Sequence, residues 1–242
     1  MKLIILIILS FAFFGCKKPA NRKCWKGTGA AITEKLTTAG ITKIKVYDDL
    51  NLNLIQDSLD YLEIKSYTNI LPFIEIKKAA DTLILRNTNR CDFIRNRDKR
   101  SVLNFHFSSL SQLFVYGTGE INSSDTIHGY SLKVYGDNAT SNINLNVQLH
   151  SFTSALAQGN ARINVTGTSN YANLSQSKYC ITEAFGLTTK YAICSNISTG
   201  NIEVNALDSL SYSILNTGNV YYRNTPYVTP IKNIGLGELI KD

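Results

Sequence analysis

The chain has 242 residues, of which 44% are hydrophobic and 18% charged. That is too apolar for a disordered chain and too polar for a multi-pass membrane protein, while five cysteines are too few for a small disulfide-stapled scaffold. The formal charge of +7 is concentrated. With residues 17–26, residues 86–100 and Lys2 set aside, 13 basic residues face 16 acidic ones, so the body lacks the basic face of a nucleic-acid binder and no nucleic-acid partner is expected.

The N-terminus reads as an address. Met1-Lys2 carries a positive charge, and Leu3–Phe14 is apolar apart from Ser10. A spanning helix needs roughly 20 apolar residues, so residues 1–15 are expected to be a signal peptide. The stretch ends in Phe13-Phe14-Gly15-Cys16, which resembles the lipobox of bacterial lipoproteins, with Phe13 where Leu is commoner. The resemblance implies that the Cys16 thiol carries a diacylglycerol with palmitate-type chains and that the leader is cut before it. More than one acyl chain suffices for stable anchoring. Lys17, in place of Asp, implies the outer membrane, and the basic character of residues 17–26 favours its periplasmic face over the cell surface. Residues 16–23 form a tether in which Pro19 and Asn21 break any periodicity. It either lies against anionic headgroups, where each Lys or Arg adds about 1 kcal/mol, or stays solvated.

The body, residues 24–242, reads as one domain. Alternating strands are expected over 41–47, 50–56, 61–66, 73–77, 82–87 and 102–107, with a short helical piece over 69–73. No linker separates residues 24–109 from residues 110–225, so the former are expected to be irregular opening coils of the same structure. From Leu110 to 225 the chain repeats. Strands end in Gly117-Thr118-Gly119, Gly136-Asp137-Asn138, Gln158-Gly159-Asn160, Thr199-Gly200-Asn201 and Thr217-Gly218-Asn219, with a degenerate unit near 179. The spacing is about 20 residues, in the range of solenoids. Each turn leads into apolar positions such as Ile143-Leu145, Ile163-Val165 and Ile202-Val204. Two short strands and two turns per twenty residues make one coil of a right-handed parallel β-helix, an all-β fold. One coil cannot bury its apolar face alone, but stacked coils can. Gly119, Gly159, Gly200 and Gly218, together with asparagines at the turns, are expected to supply left-handed corners, equivalent Asn or Thr residues to form ladders, and residues 226–242 to cap the C-terminal end.

Several motifs in this order carry a family resemblance: Cys24-Trp25-Lys26-Gly27-Thr28-Gly29, the strand 50–56, the stretch 82–91 ending in Asn89-Arg90-Cys91, Leu110–Gly119, Thr217–Tyr222 with Pro226, and Gly235-Leu236-Gly237. Over residues 24–240 the chain resembles the head GIN domain family of Bacteroidetes, the auto-transporter adhesin head domains. The resemblance implies a β-helix in an envelope protein, without an established enzymatic activity. Cys24 and Cys91 lie beside the family-like motifs and are expected to pair. The 68-residue loop that they would close is worth about 4 kcal/mol in the chain-entropy view. Cys180 and Cys194 either form a second disulfide or remain buried thiols.

Candidate chemistry is sparse. His106, His128 and His150 recur every 22 residues. His128 and His150 are expected to stack on neighbouring coils or to be surface corner residues, and without further ligands no metal or other cofactor is expected. Residues 110–225 hold only Glu120, Asp125, Asp137, Glu183, Glu203 and Asp208 as acids. They read as falling at different phases of the repeat, and no nucleophile elbow, P-loop or HExxH motif occurs. The chain therefore reads as no enzyme, and the alternative is a glycan-binding or polysaccharide-processing β-helix. Tyr116, Tyr135, Tyr221 and Tyr222 sit on repeating strands, where an outward column would offer a stacking surface to a glycan or an envelope protein. Asp57-Ser58, Asp81-Thr82, Asp125-Thr126 and Asp208-Ser209, each followed by an aliphatic residue, resemble the O-glycosylation sequon of Bacteroidetes. They are equally good turn chemistry.

Overall fold

The computed structural model describes residues 27–90 and 100–242. The signal peptide, Cys16, the tether, Cys24 and Cys91 lie outside the described residues. Seventeen strands form one continuous sheet: β1 (Ala31–Thr37), β2 (Lys43–Asp48), β3 (Asn51–Gln56), β4 (Tyr61–Tyr67), β5 (Ile74–Ala79), β6 (Thr82–Asn87), β7 (Val102–Phe107), β8 (Gln112–Gly117), β9 (Glu120–Ser123), β10 (Ile127–Ala139), β11 (Asn142–Gly159), β12 (Arg162–Lys178), β13 (Ile181–Ser198), β14 (Ile202–Ile214), β15 (Val220–Arg223), β16 (Tyr227–Asn233) and β17 (Leu239–Lys241). The described helical structure is a 3-10 turn, Leu71–Phe73, with Pro72 in its first turn, inside the stretch expected to be helical.

The sheet winds into a β-solenoid of about six turns with coils of about twenty residues. From β8 onward each coil lies parallel to the next. One face comprises residues such as 142–149 and the other 151–158. Between them the inward side chains change parity: Leu149 and Phe152, Ser169 and Ala172, and Thr189 and Ala192 are the buried pairs that flank the bend. Inward columns then form by register. On the first face Leu52, Ile121, Ile143, Ile163, Thr182, Ile202, Val220 and Leu239 stand one above another. On the second, Leu83, Ile44, Leu113, Val134, Ser154, Leu174 and Cys194 do the same. Each fully buried Leu or Ile contributes about 1.5–3 kcal/mol, and each needs coils on both sides to stay dry.

The tight corner is a hydrogen-bonded column. Thr118 N donates to Asp48 O, Thr140 N to Gly117 O, Asn160 N to Ala139 O, Tyr179 N to Gly159 O, Thr199 N to Lys178 O, Gly218 N to Ser198 O and Gly237 N to Asn216 O. The expected corners at 119, 159, 200 and 218 therefore line one edge of the solenoid. Their glycines serve a different purpose from the one expected. Of the four, only Gly159 has a positive φ, and the left-handed residues are mostly the non-glycines Asp48, Asn138, Gln158 and Lys178. Gly119, Gly200 and Gly218 are needed because a Cβ would overlap the carbonyl oxygens of Leu50, Cys180 and Gly200 on the coil beneath.

Residues 226–242 form the last coil at the C-terminal end, with β16 pairing in parallel with β14 and β17 with β15. The unit near 179 stacks in parallel on its neighbours with register shifts between Asn164 and Gly167 and between Ala184 and Thr188, and its corner uses Lys178 at φ 59° in place of glycine. The opening coils do not follow chain order. The β2–β3 coil lies between β6–β7 on one side and β8–β9 on the other. Beyond β6–β7, antiparallel strands cover that end: β4 on β7, β1 on β4, and β5 on β6.

Candidate functional site

No group of three His, Cys, Asp or Glu side chains that could hold a metal ion occurs among the described residues. His128 lies in register with Gln148, not His150, so the expected histidine stack does not form. The His150 ring instead stacks on Tyr130 at 4.7 Å, and its Nδ1 lies 3.1 Å from Asn170 Nδ2. His106 stacks on Tyr61 at 4.0 Å with its Nδ1 3.2 Å from Asp57 Oδ2. Cys180 and Cys194 are both buried free thiols, which corrects the second-disulfide alternative: Cys180 lies in the corner just before β13, whereas Cys194 stands in the second-face inner column. Burial pushes the Cys194 thiol up to about 12.

Acidic residues do meet across adjacent coils among the described residues. Glu183 and Glu203 lie directly opposite on adjacent coils, which corrects their assignment to different phases. Arg162 pairs with Glu183. Burial, with Glu183 second, raises the Glu203 carboxyl above its ordinary value. The two carboxylates stand side by side on one flat face. They do not flank a cleft, as the acid and nucleophile or base of a glycosidase must.

What the fold builds are outward columns. On the first face, register aligns Glu63, Asn104, Asn53, Asn122, Asn144, Asn164, Glu183, Glu203 and Tyr221. Asn53 Nδ2 donates to Asn104 Oδ1 at 2.9 Å, and Asn144 Nδ2 donates to Asn122 Oδ1 at 2.9 Å. These are the expected polar ladders. On the second face, the rings of Tyr47 and Tyr116 stack at 4.7 Å and those of Phe114 and Tyr135 at 5.0 Å. Arg86 covers Tyr47 and Lys45 covers Phe114, a cation–π arrangement. Tyr116 and Tyr135 are thus outward and half-buried, as is Tyr221, whereas Tyr222 is in register with the buried Val204 and packs against the core.

A third aromatic set lies beside the bend. Tyr171 and Tyr191 stack at 5.2 Å, and both remain exposed, as do Tyr130 and Tyr227. Sequence reasoning did not single these four out. The signal was available in the 18-residue steps from Tyr191 to Ser209 to Tyr227.

The sequon residues are placed in turns and at strand ends. Asp57 accepts from Ser58 N at 2.6 Å. Thr82 Oγ1 donates to Asp81 at 3.2 Å, and Thr126 Oγ1 accepts from Asn146 at 2.8 Å. Ser58 is exposed, whereas Thr82, Thr126 and Ser209 are half-buried.

Similar folds are known. A crystal structure of a "putative adhesin" from Bacteroides fragilis superposes with a TM-score of 0.80 at 18% identity, covering 88% of this chain and 97% of that one. A "putative adhesin" from Parabacteroides merdae gives 0.65 at 20% identity, covering 89% and 98%. A "putative lipid binding protein" from Parabacteroides distasonis gives 0.68 at 20% identity, covering 89% and 98%. No curated protein sequence matches the chain. A family profile matches residues 40–226, a span that runs from β2 through β15 and holds the inner columns as far as Val220 and the corner ladder as far as Gly218. The chain belongs to the family described as "Putative auto-transporter adhesin, head GIN domain".

Proposed function

We propose that this protein is a non-catalytic module of the cell envelope, anchored in the outer membrane through lipid on Cys16, that binds a glycan or an envelope protein through a lateral face. The supporting observation is the set of outward columns. They repeat the same side-chain types on successive coils, held rigid by the core beneath. Such a surface suits an extended or repeating partner, because its recognition elements recur about every 4.8 Å along the axis. The family's description as adhesin-like agrees with this reading. Catalysis has little to work with: the in-register acid pair Glu183–Glu203 lies on a flat face with an arginine on one member.

Two experiments test it. Cys16→Ser should abolish labelling by a radiolabelled fatty acid and release the protein from the outer-membrane fraction, and retention there without label refutes the anchor. Beads coated with the full chain should be captured by isolated envelope or matrix surfaces and released by soluble protein. Absence of capture refutes the adhesive role. Protease shaving of intact cells assigns the face of the membrane, with protection expected for the periplasmic side.

A further inference from the structure

Register places Tyr191, Ser209 and Tyr227 in one outward column, on three successive coils. Ser209 therefore leaves a gap in an aromatic ladder that otherwise runs Tyr171, Tyr191, Tyr227. Two strand spacings of about 4.8 Å separate the rings on either side, so the slot is about 9.6 Å from ring to ring. The second outward column beside it runs Asn173, Ile193, Ser211, Thr229, and a shallow groove of about 270 Å³ reaches from Tyr171 and Asn173 across Tyr191 and Ile193 to Ser209 and Ser211. Its lining also takes in Ser151, Ala172 and Ala192 and carries no charged side chain.

The width selects a ligand. A flat aromatic ring between two others needs about 7 Å, two carbon–carbon contacts of about 3.5 Å. It would rattle in this slot. A puckered ring with axial hydrogens is thicker and touches both faces at about 9–10 Å in total, with each carbon–carbon contact near 4 Å. The floor selects further. Serine hydroxyls at 209 and 211, and that of Thr229 in register beside Ser211, can exchange hydrogen bonds with ring hydroxyls, which an aliphatic ligand would leave unpaired. At the bend beside the slot, Lys190 and Asp208 are exposed, one of each sign, so no net charge favours an acidic or basic ligand.

We propose that the slot between Tyr191 and Tyr227, over Ser209 and Ser211, is a subsite for one pyranose ring of a neutral saccharide. The assignment rests on the adhesive reading above and names the ligand class for it. Tyr191 and Tyr227 supply apolar ring faces to the sugar's C–H faces. Ser209 is small so that the ring can enter. The stack of Tyr191 on Tyr171 fixes the wall in place before binding, which lowers the ordering cost of association.

The test uses the full chain titrated with neutral oligosaccharides of glucose, mannose, galactose and N-acetylglucosamine, followed by calorimetry and saturation-transfer NMR. At least one series should bind, with transfer to tyrosine ring protons. Tyr191→Ala and Tyr227→Ala should each weaken binding at least tenfold. Ser209→Phe should fill the slot, complete the ladder and abolish binding while the melting temperature holds or rises, so a loss there is not a folding failure. Tyr179→Ala, an exposed tyrosine at the tight corner, should bind as the unaltered protein does. Binding by no saccharide, or equal binding by the three slot variants, overturns the assignment. Capture of coated beads separates the two levels: beads still held by envelope surfaces while no saccharide binds sink the slot alone, whereas beads held by nothing sink the adhesive reading as well.

Discussion

Asn53 donates its side-chain amide to Asn104 Oδ1 at 2.9 Å across 51 positions of sequence, and Asn104 passes the chain of bonds on, donating to Glu63 Oε2 at 2.8 Å. The three residues come from β3, β7 and β4, so this short relay ties the displaced coil to the antiparallel strands that cover it. Asn104 is nearly buried, at 7% exposure. Replacing it with leucine leaves Asn53 and Glu63 without their partner, a cost of about 1–3 kcal/mol. Asn104→Leu should therefore melt several degrees lower, and a double-mutant cycle with Asn53→Ala should show coupling. The Asn104 bond is also the chief reason that the Glu63 carboxyl is held below its ordinary value of 4.5. A lowered carboxylate stabilises the fold above its unfolded value, and that contribution is lost as pH falls through the folded one. The gap between the two proteins should narrow on acidification below about 4.5, and Glu63 should titrate higher in the variant, as read by carboxyl-carbon NMR.

The corner glycines divide into those that contact the coil beneath and those that do not. A Cβ on Gly218 would overlap Gly200 O and meet Ser198 O at 2.8 Å, both backbone atoms that cannot swing away. Gly129, in β10, would place its Cβ 3.6 Å from Leu149 Cδ2, an ordinary contact. Gly218→Ala should cost at least the 1–3 kcal/mol typical of overpacking, while Gly129→Ala should be neutral or stabilise by about 0.4–1 kcal/mol through the unfolded chain. Thermal melts of the two variants check this, and equal effects would remove the close-approach account of the corner.

The coil length was legible in sequence because each tight corner leaves a local mark, a glycine or asparagine beside an alternating strand. The order of the coils was not. Ile44 and Leu52 alternate with polar neighbours in the same way whether their coil ends the stack or, as here, lies inside it between Leu83 and Leu113 or Leu103 and Ile121. Nothing local records which neighbours a two-sided strand will find. The Glu183–Glu203 pairing was hidden for a related reason. Corner glycines mark the phase of the repeat, and the corner before Glu183 has none, since Lys178 takes the left-handed turn. Tyr227 was lost from the aromatic set because Pro226 reads as the end of the repeat, although β16 continues it in register with β14.

Cys194 stands beneath Tyr212 in the second-face inner column and is fully buried. Its thiol is pushed up to about 12 by burial alone, and burial likewise raises that of Cys180. The thiolate is the reactive form. At pH 8 neither residue should react with iodoacetamide in the folded protein over hours, and both should react at once in denaturant. Peptide mapping by mass spectrometry distinguishes them from Cys24 and Cys91. Rapid labelling of Cys194 in the native state would contradict its placement in the column.

Glu203 makes the opposite pH prediction to Glu63. Its carboxyl is raised, first by burial and then by Glu183 on the adjacent coil, against the lowering effect of Arg223. A carboxylate raised in the folded state binds its proton more tightly there than in the unfolded chain. Stability therefore falls as pH rises from the ordinary value of 4.5 through the raised one, and the full penalty persists above it. Glu203→Gln removes the charge and keeps the shape. It should melt higher than the unaltered protein at pH 7, and the two should converge below about pH 4, where Glu203 is protonated in both states. Glu183→Gln should leave Glu203 titrating closer to normal. It should give a smaller net gain, because it also removes the partner of Arg162. Melting curves of the three proteins from pH 3 to 8 decide the matter. A Glu203→Gln variant less stable than its parent at pH 7 would mean that Arg162 and Arg223 outweigh burial, and that the acid pair is held by its arginines as a stabilising surface network.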